Sequence, residues 1–188
     1  MNKLLLTAAL VTGVAGAVLA PRDASATDGS VSINGSLSAQ TCKINGGSSP
    51  ANFAVQLPTV SVSSLKTSGS VAGRTPFSIT LTSCSTAGLV LSAFFEPGPT
   101  VMADGNLKNT GVAKNVEVQL LNASANVMNL SAAAGSQVST TGLFNTSSTA
   151  GTGALTGAPL QYYAQYVATG AVGGGTVATS VQYTINYP

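Results

Sequence analysis

The 188-residue sequence contains no histidine. That absence removes Ser-His and Cys-His activation of a nucleophile, together with the usual imidazole metal ligands. Charge is scarce as well: Asp, Glu, Lys and Arg make up 6% of the chain, against roughly a quarter in ordinary soluble domains. Past residue 26 the cations are Lys43, Lys66, Arg74, Lys108 and Lys114 and the acids are Asp28, Glu96, Asp104 and Glu117. This near balance gives no basic surface for nucleic acid or an anionic membrane. The only cysteines are Cys42 and Cys84, with no C-x-x-C redox motif, and a thiolate metal site would lack its partners here. No Gly-Lys-Ser/Thr follows Gly151–Gly153 or Gly173–Gly175, so neither glycine cluster is a phosphate loop. No cofactor is implied.

The chemistry that remains is thin. Two carboxylates can hydrolyse a glycoside, but Glu96 abuts Pro97-Gly98-Pro99 and Asp104 opens Asp104-Gly105-Asn106, both turn sequences first. Ser63-Ser64-Leu65-Lys66 fits S-x-x-K without its companion motifs. The chain is not expected to be an enzyme.

What is present begins with Lys3, the apolar run Leu4 to Ala20, and Ala24-Ser25-Ala26. This is a secretory signal with an A-x-A cleavage pattern. The run falls short of the roughly 20 residues of a membrane span, and a cut after Ala20 would place Pro21 at the scissile bond. The expected signal peptide is 1–26, and the mature start is Thr27. In an exported chain the two cysteines are most simply one disulfide.

Polarity comes from Ser, Thr, Asn and Gly, and apolar residues alternate in short runs between turn signals, the pattern of an all-β sandwich. Val31, Ile33 and Leu37 share one face of Ser30 to Leu37; Val55-Gln56-Leu57 stops at Pro58; Phe77, Ile79 and Leu81 lead to Cys84. Leu89 to Phe95, Val116 to Leu120, Tyr162 to Val167 and the terminal SVQYTINYP follow. About seven strands fit an immunoglobulin-like sandwich. Only Leu130 to Ala134 suggests a helical turn. Ser30 to Leu37 is either an ordinary first strand or an arm that pairs elsewhere.

Several stretches carry a resemblance to a known family. GSVSINGSLSAQTC (Gly29 to Cys42), the second cysteine at Cys84, VQLPTVSVSSLKTSGSVAGRTPFSITLTSC (Val55 to Cys84), FFEPGPT (Phe94 to Thr100) and the aromatic terminal strand resemble the subunits of chaperone-usher fimbriae. Within that family they are similar to the serotype-specific major subunits of the pertussis-type group. The resemblance implies an incomplete immunoglobulin-like sandwich, the pilin fold, completed by a donor strand from another subunit. It implies a donor arm at 27–37, with Gly29, Val31, Ile33, Gly35 and Leu37 facing a neighbour's groove, and a pilin domain at 38–188. Val181, Tyr183, Ile185 and Tyr187 would form the groove-edge strand, and a periplasmic chaperone would hold the carboxylate of Pro188. Lys108 to Pro159 is expected to be the variable, exposed part.

The partners so implied are identical subunits, the periplasmic chaperone, an outer-membrane usher and a separate tip adhesin. The place implied is a fimbria at the bacterial cell surface, reached through the periplasm and supporting adhesion. The alternative is a minor or tip adhesin binding a host glycan. Against it, an adhesin carries an additional lectin domain for which this chain has no room.

Overall fold

The computed structural model describes Ser32 and residues 42–45, 51–84, 90–139, 141–143, 155–156 and 159–187. Chain contacts divide the protein into Met1–Ser36 and Leu37–Pro188, and every strand below belongs to the second unit. The signal segment 1–26, the arm residues Gly29, Val31, Ile33, Gly35 and Leu37, and Pro188 lie outside the described residues.

The fold is an all-β sandwich. Its strands are β1 (Lys43–Ile44), β2 (Val71–Ile79), β3 (Leu81–Cys84), β4 (Val90–Phe95), β5 (Leu107–Lys108), β6 (Lys114–Leu121), β7 (Thr141–Leu143), β8 (Leu155–Thr156), β9 (Leu160–Gly173) and β10 (Tyr183–Asn186). They form three sheets, ordered β2-β9-β6-β5, β10-β4-β7 and β1-β3-β8. All paired strands are antiparallel.

The 14-residue β9 is the hub of the four-stranded sheet. Its Tyr162, Ala164 and Ala168 are buried on the same face as Val116, Val118 and Leu120 of β6, as a period of two requires. Bulges interrupt both of its partners, at Ala72/Thr75 and Lys114/Val116. Gly73 and Asn115 absorb them at φ of 68° and 58°. Pro76 is tolerated because β2 is an edge strand of its sheet.

The second layer packs on that face. Phe95 of β4 meets Tyr162 edge-on at 5.2 Å, and Phe77 stacks on Tyr162 at 5.6 Å. Ile79, Leu81, Leu91, Leu130 and Met128 are completely buried in the same core.

The run from Phe77 to Cys84 read as one strand divides at Thr80, with β2 and β3 joining different sheets. Asn45 pins the switch, since its backbone N–H donates to the Thr80 carbonyl at 2.7 Å and its Oδ1 accepts from the Thr80 N–H at 2.8 Å.

Three expectations are corrected. Lys108 to Pro159 is not simply exposed, because it supplies β6 and the buried Met128 and Leu130. Leu130 to Ala134 makes turns, while a 3-10 turn forms at Val62–Ser64, where the Ser61 hydroxyl accepts from the Ser63 N–H. Val55-Gln56-Leu57 alternates in burial yet joins no ladder.

Candidate functional site: an open groove

Residues 177–187 alternate half-buried or buried at odd positions with exposed at even positions. Val181, Tyr183 and Tyr187 are half-buried and Ile185 is buried, all on one face. The even residues use one edge of this strand throughout. The Ala113 N–H donates to the Thr176 carbonyl, Thr110 N–H to Ala178, the Thr100 hydroxyl to Ser180, and Glu96 N–H to Gln182. Beyond these, β10 pairs with Phe95 to Ser92 of β4.

In an extended chain, successive residues aim their backbone groups at opposite edges. The N–H and C=O groups of Val177, Thr179 and Val181 therefore face away from that ladder, and among the described residues they have no backbone partner.

Across from this free edge runs a second unpaired rail. Residues 52–57 make no backbone hydrogen bond among the described residues. One end is held to the first rail by the Tyr183 hydroxyl, which donates to the Ala51 carbonyl at 2.8 Å. Phe53 lies against Phe77 and Tyr183, with ring centroids 6.0 and 5.9 Å apart.

Between the rails is a groove of about 990 Å³ whose floor is the core itself: Phe77, Phe95, Leu107, Val118, Leu120, Ala164 and Tyr166. Tyr166 is fixed there because Gly73 has no side chain to displace its ring, which lies 2.9 Å from where a Cβ would stand. Burial raises the phenol pKa of both Tyr166 and Tyr183.

Past Val177 the groove continues into a hollow of about 390 Å³ beneath Val60, Leu65 and Val116. Its opposite end lies by Tyr187, whose hydroxyl accepts from the Cys42 N–H at 3.2 Å. Cys42 is disulfide-bonded to Cys84, with Cα atoms 4.2 Å apart. The bridge thus ties the segment leading into β1 to β3, beside the end of the wall strand.

Of the groove's lining residues only Glu96 is charged, and its carboxylate accepts from the Thr184 hydroxyl at 2.7 Å. Asp104 is a turn residue, accepting from the Asn106 N–H at 3.1 Å. Among the described residues no three metal-ligating side chains cluster, and no helix is long and apolar enough to cross a membrane.

The arrangement suits an extended apolar chain. Alternate side chains would fill the floor, and backbone groups would bond both rails. Sequence reasoning reached the inward face of 181–187 but missed the rail at 52–57. The signal for it was the alternation of Val55 and Leu57 in a stretch lacking any turn partner.

Residues 57–188 match the family described as FimA: Type-1 fimbrial protein, A. The chain is 45% identical over 174 residues to the major fimbrial subunit SMF-1 of Stenotrophomonas maltophilia (strain K279a), covering 89% of this chain and 97% of that one. It is 42% identical over 107 residues to the serotype 2 fimbrial subunit of Bordetella pertussis (strain Tohama I), covering 54% of this chain and 52% of that one. The pertussis-type likeness thus spans about half the chain. A chain from the solved structure of a chaperone-usher pilus is similar in fold, with a TM-score of 0.56, 19% identity, and coverage of 90% of this chain and 100% of that one.

Proposed function

Because the chain belongs to the type-1 fimbrial protein family, whose members are structural pilus subunits and not enzymes, we propose that it polymerises by donor-strand complementation. The single observation that carries this reading is the pair of unpaired backbone rails, at 52–57 and 177–181, over an exposed apolar floor. A strand inserted between them would complete the sandwich from outside. The donor is the arm 27–37 of another copy, with Gly29, Val31, Ile33, Gly35 and Leu37 inward. Val31, Ile33 and Leu37 each gain about 1.5–3 kcal/mol on full burial.

Before assembly, a periplasmic chaperone covers the same groove along Val181, Tyr183, Ile185 and Tyr187. An usher exports the subunit after signal peptide 1–26 is removed. The product is a fimbria of identical subunits at the cell surface, supporting adhesion. Deleting Thr27 to Leu37 tests this. The truncated subunit is expected to keep its disulfide and bind the chaperone but form no fibres by electron microscopy. Normal-length fibres would refute the reading.

A further inference from the structure

Thr179 is the one polar residue among the inward positions 177–181, set between Val177 and Val181 in the groove wall. Its Oγ1 is buried with no hydrogen-bond partner among the described residues. A hydroxyl in that position is poorly placed unless the groove's occupant supplies an acceptor. We propose that Thr179 sets the register of the inserted arm, with Gly35 of a second copy opposite it. This rests on the donor-strand reading above.

The direction of insertion follows from the molecule's own ends. Cys42 sits against Tyr187, so the segment preceding it leaves the body at that end of the groove. An arm entering a neighbour at the same end would favour reciprocal, closed pairs, whereas an open fibre needs entry at the opposite end, by Val177. The arm then runs antiparallel to 177–187.

With both strands reading inward every second residue, only shifts of two are open. Gly35 opposite Thr179 brings Leu37 to the hollow beside Val177 and Ile33 to Val181. It brings Gly29 to Ile185, which is already 7% exposed and has no room for a further side chain. The bare backbone at Gly35 lets the Thr179 hydroxyl donate to an arm carbonyl. One shift buries the hydroxyl under Ile33 and leaves the hollow to glycine. The other presses Leu37 on the hydroxyl and Val31 on Ile185.

The test is disulfide trapping in fibres from cells expressing full-length cysteine variants. Ile33→Cys with Val181→Cys is expected to give a ladder that survives boiling without reductant. The shifted pairs, Ile33→Cys with Thr179→Cys and Ile33→Cys with Tyr183→Cys, should give on the order of tenfold less, because directly opposed side chains are the ones within bonding reach. Leu37→Cys with Val177→Cys serves as a second matched pair if the first fails to assemble. Equal or stronger trapping by a shifted pair, or fibres trapped by none, overturns the register and leaves the donor-strand reading standing. Fibres from the arm-deleted chain overturn that reading itself. Thr179→Val should raise trapping by a shifted pair several-fold while Thr179→Ser does not; an unchanged pattern in Thr179→Val removes Thr179 from the role.

Discussion

Replacing Gln137 by alanine should weaken the groove from behind. Gln137 is only 9% exposed, and its carboxamide stands in for a neighbouring strand. Oε1 accepts from the Phe95 N–H at 3.1 Å, while Nε2 donates to the Phe95 carbonyl at 2.7 Å and the Leu130 carbonyl at 3.2 Å. Phe95 is both groove floor and the β4 partner of Tyr183. Alanine leaves a buried N–H and two buried carbonyls unpaired, each worth about 1–3 kcal/mol when water cannot replace the partner. Allowing for partial relaxation, the loss should be about 3 kcal/mol.

The assay is urea unfolding of the oxidised chain followed by tyrosine fluorescence, which is clean because there is no tryptophan. With an m-value of about 2 kcal/mol per molar urea, the midpoint should fall by about 1.5 M. Gln137→Glu is the sharper variant: the carboxylate still accepts from Phe95 N–H but has no proton for the Phe95 carbonyl. Its folded pKa should be raised, so its stability is present at acid pH and lost as pH rises through that value. A loss below about 1 kcal/mol for alanine, or a glutamate variant as stable as the parent at pH 7, would refute the strand-mimic argument.

Other outcomes follow from the same structure. The Glu117 carboxyl is held above its ordinary value of 4.5, chiefly by burial and then by the Asp104 charge and hydrogen bond, against the lowering effect of the Asn106 amide. The folded state therefore binds that proton more tightly than the unfolded chain, so this contribution is full below 4.5 and is lost as pH rises through the raised value. Glu117→Gln should gain stability relative to the parent between pH 4 and 7, measured as a difference in thermal midpoints. Removing the disulfide by Cys42→Ser with Cys84→Ser opens a loop with a sequence separation of 42. It should cost about 4 kcal/mol in the chain-entropy account, read by urea unfolding against the oxidised parent. Gly111→Ala drives a Cβ into the Thr176 carbonyl oxygen, a backbone atom with little freedom to move. It should cost about 2 kcal/mol and loosen the anchor where the wall strand begins, read as faster amide exchange at Ala113 and Ala178.

Local periodicity made the wall strand legible, because 181–187 alternates cleanly and its pattern survives folding unchanged. The paired cysteines were legible from compartment alone. The opposite rail was not, since 52–57 has no ladder in the isolated chain and reads as irregular wherever a partner strand is missing. The division at Thr80 was hidden because apolar alternation runs straight through it. Only the remote Asn45 side chain reveals where the strand changes sheets. Gln137 was invisible for a related reason: a polar residue in a Ser- and Ala-rich stretch gives no sign of burial until β4 is seen to need a partner at Phe95. Sequence patterns report which face of a strand is buried. They do not report which edge is paired.

The scarcity of charge has a structural counterpart on the far face of the four-stranded sheet. Arg74 Nε donates to Gln165 at 2.9 Å, Gln165 Nε2 to Gln119 at 2.9 Å, and Gln119 Nε2 to Asn106 at 3.2 Å. Asn106 Nδ2 then donates to Asp104 at 2.8 Å and to Glu117 at 3.1 Å. Every amide in this row points the same way, from the guanidinium toward the carboxylates, so each bond polarises the next. Gln165, at 3% exposed, is satisfied at both ends without a charge of its own. A row of amides therefore spreads one cation and two acids across four strands. That leaves a face with little net field, against which identical copies can lie without repulsion.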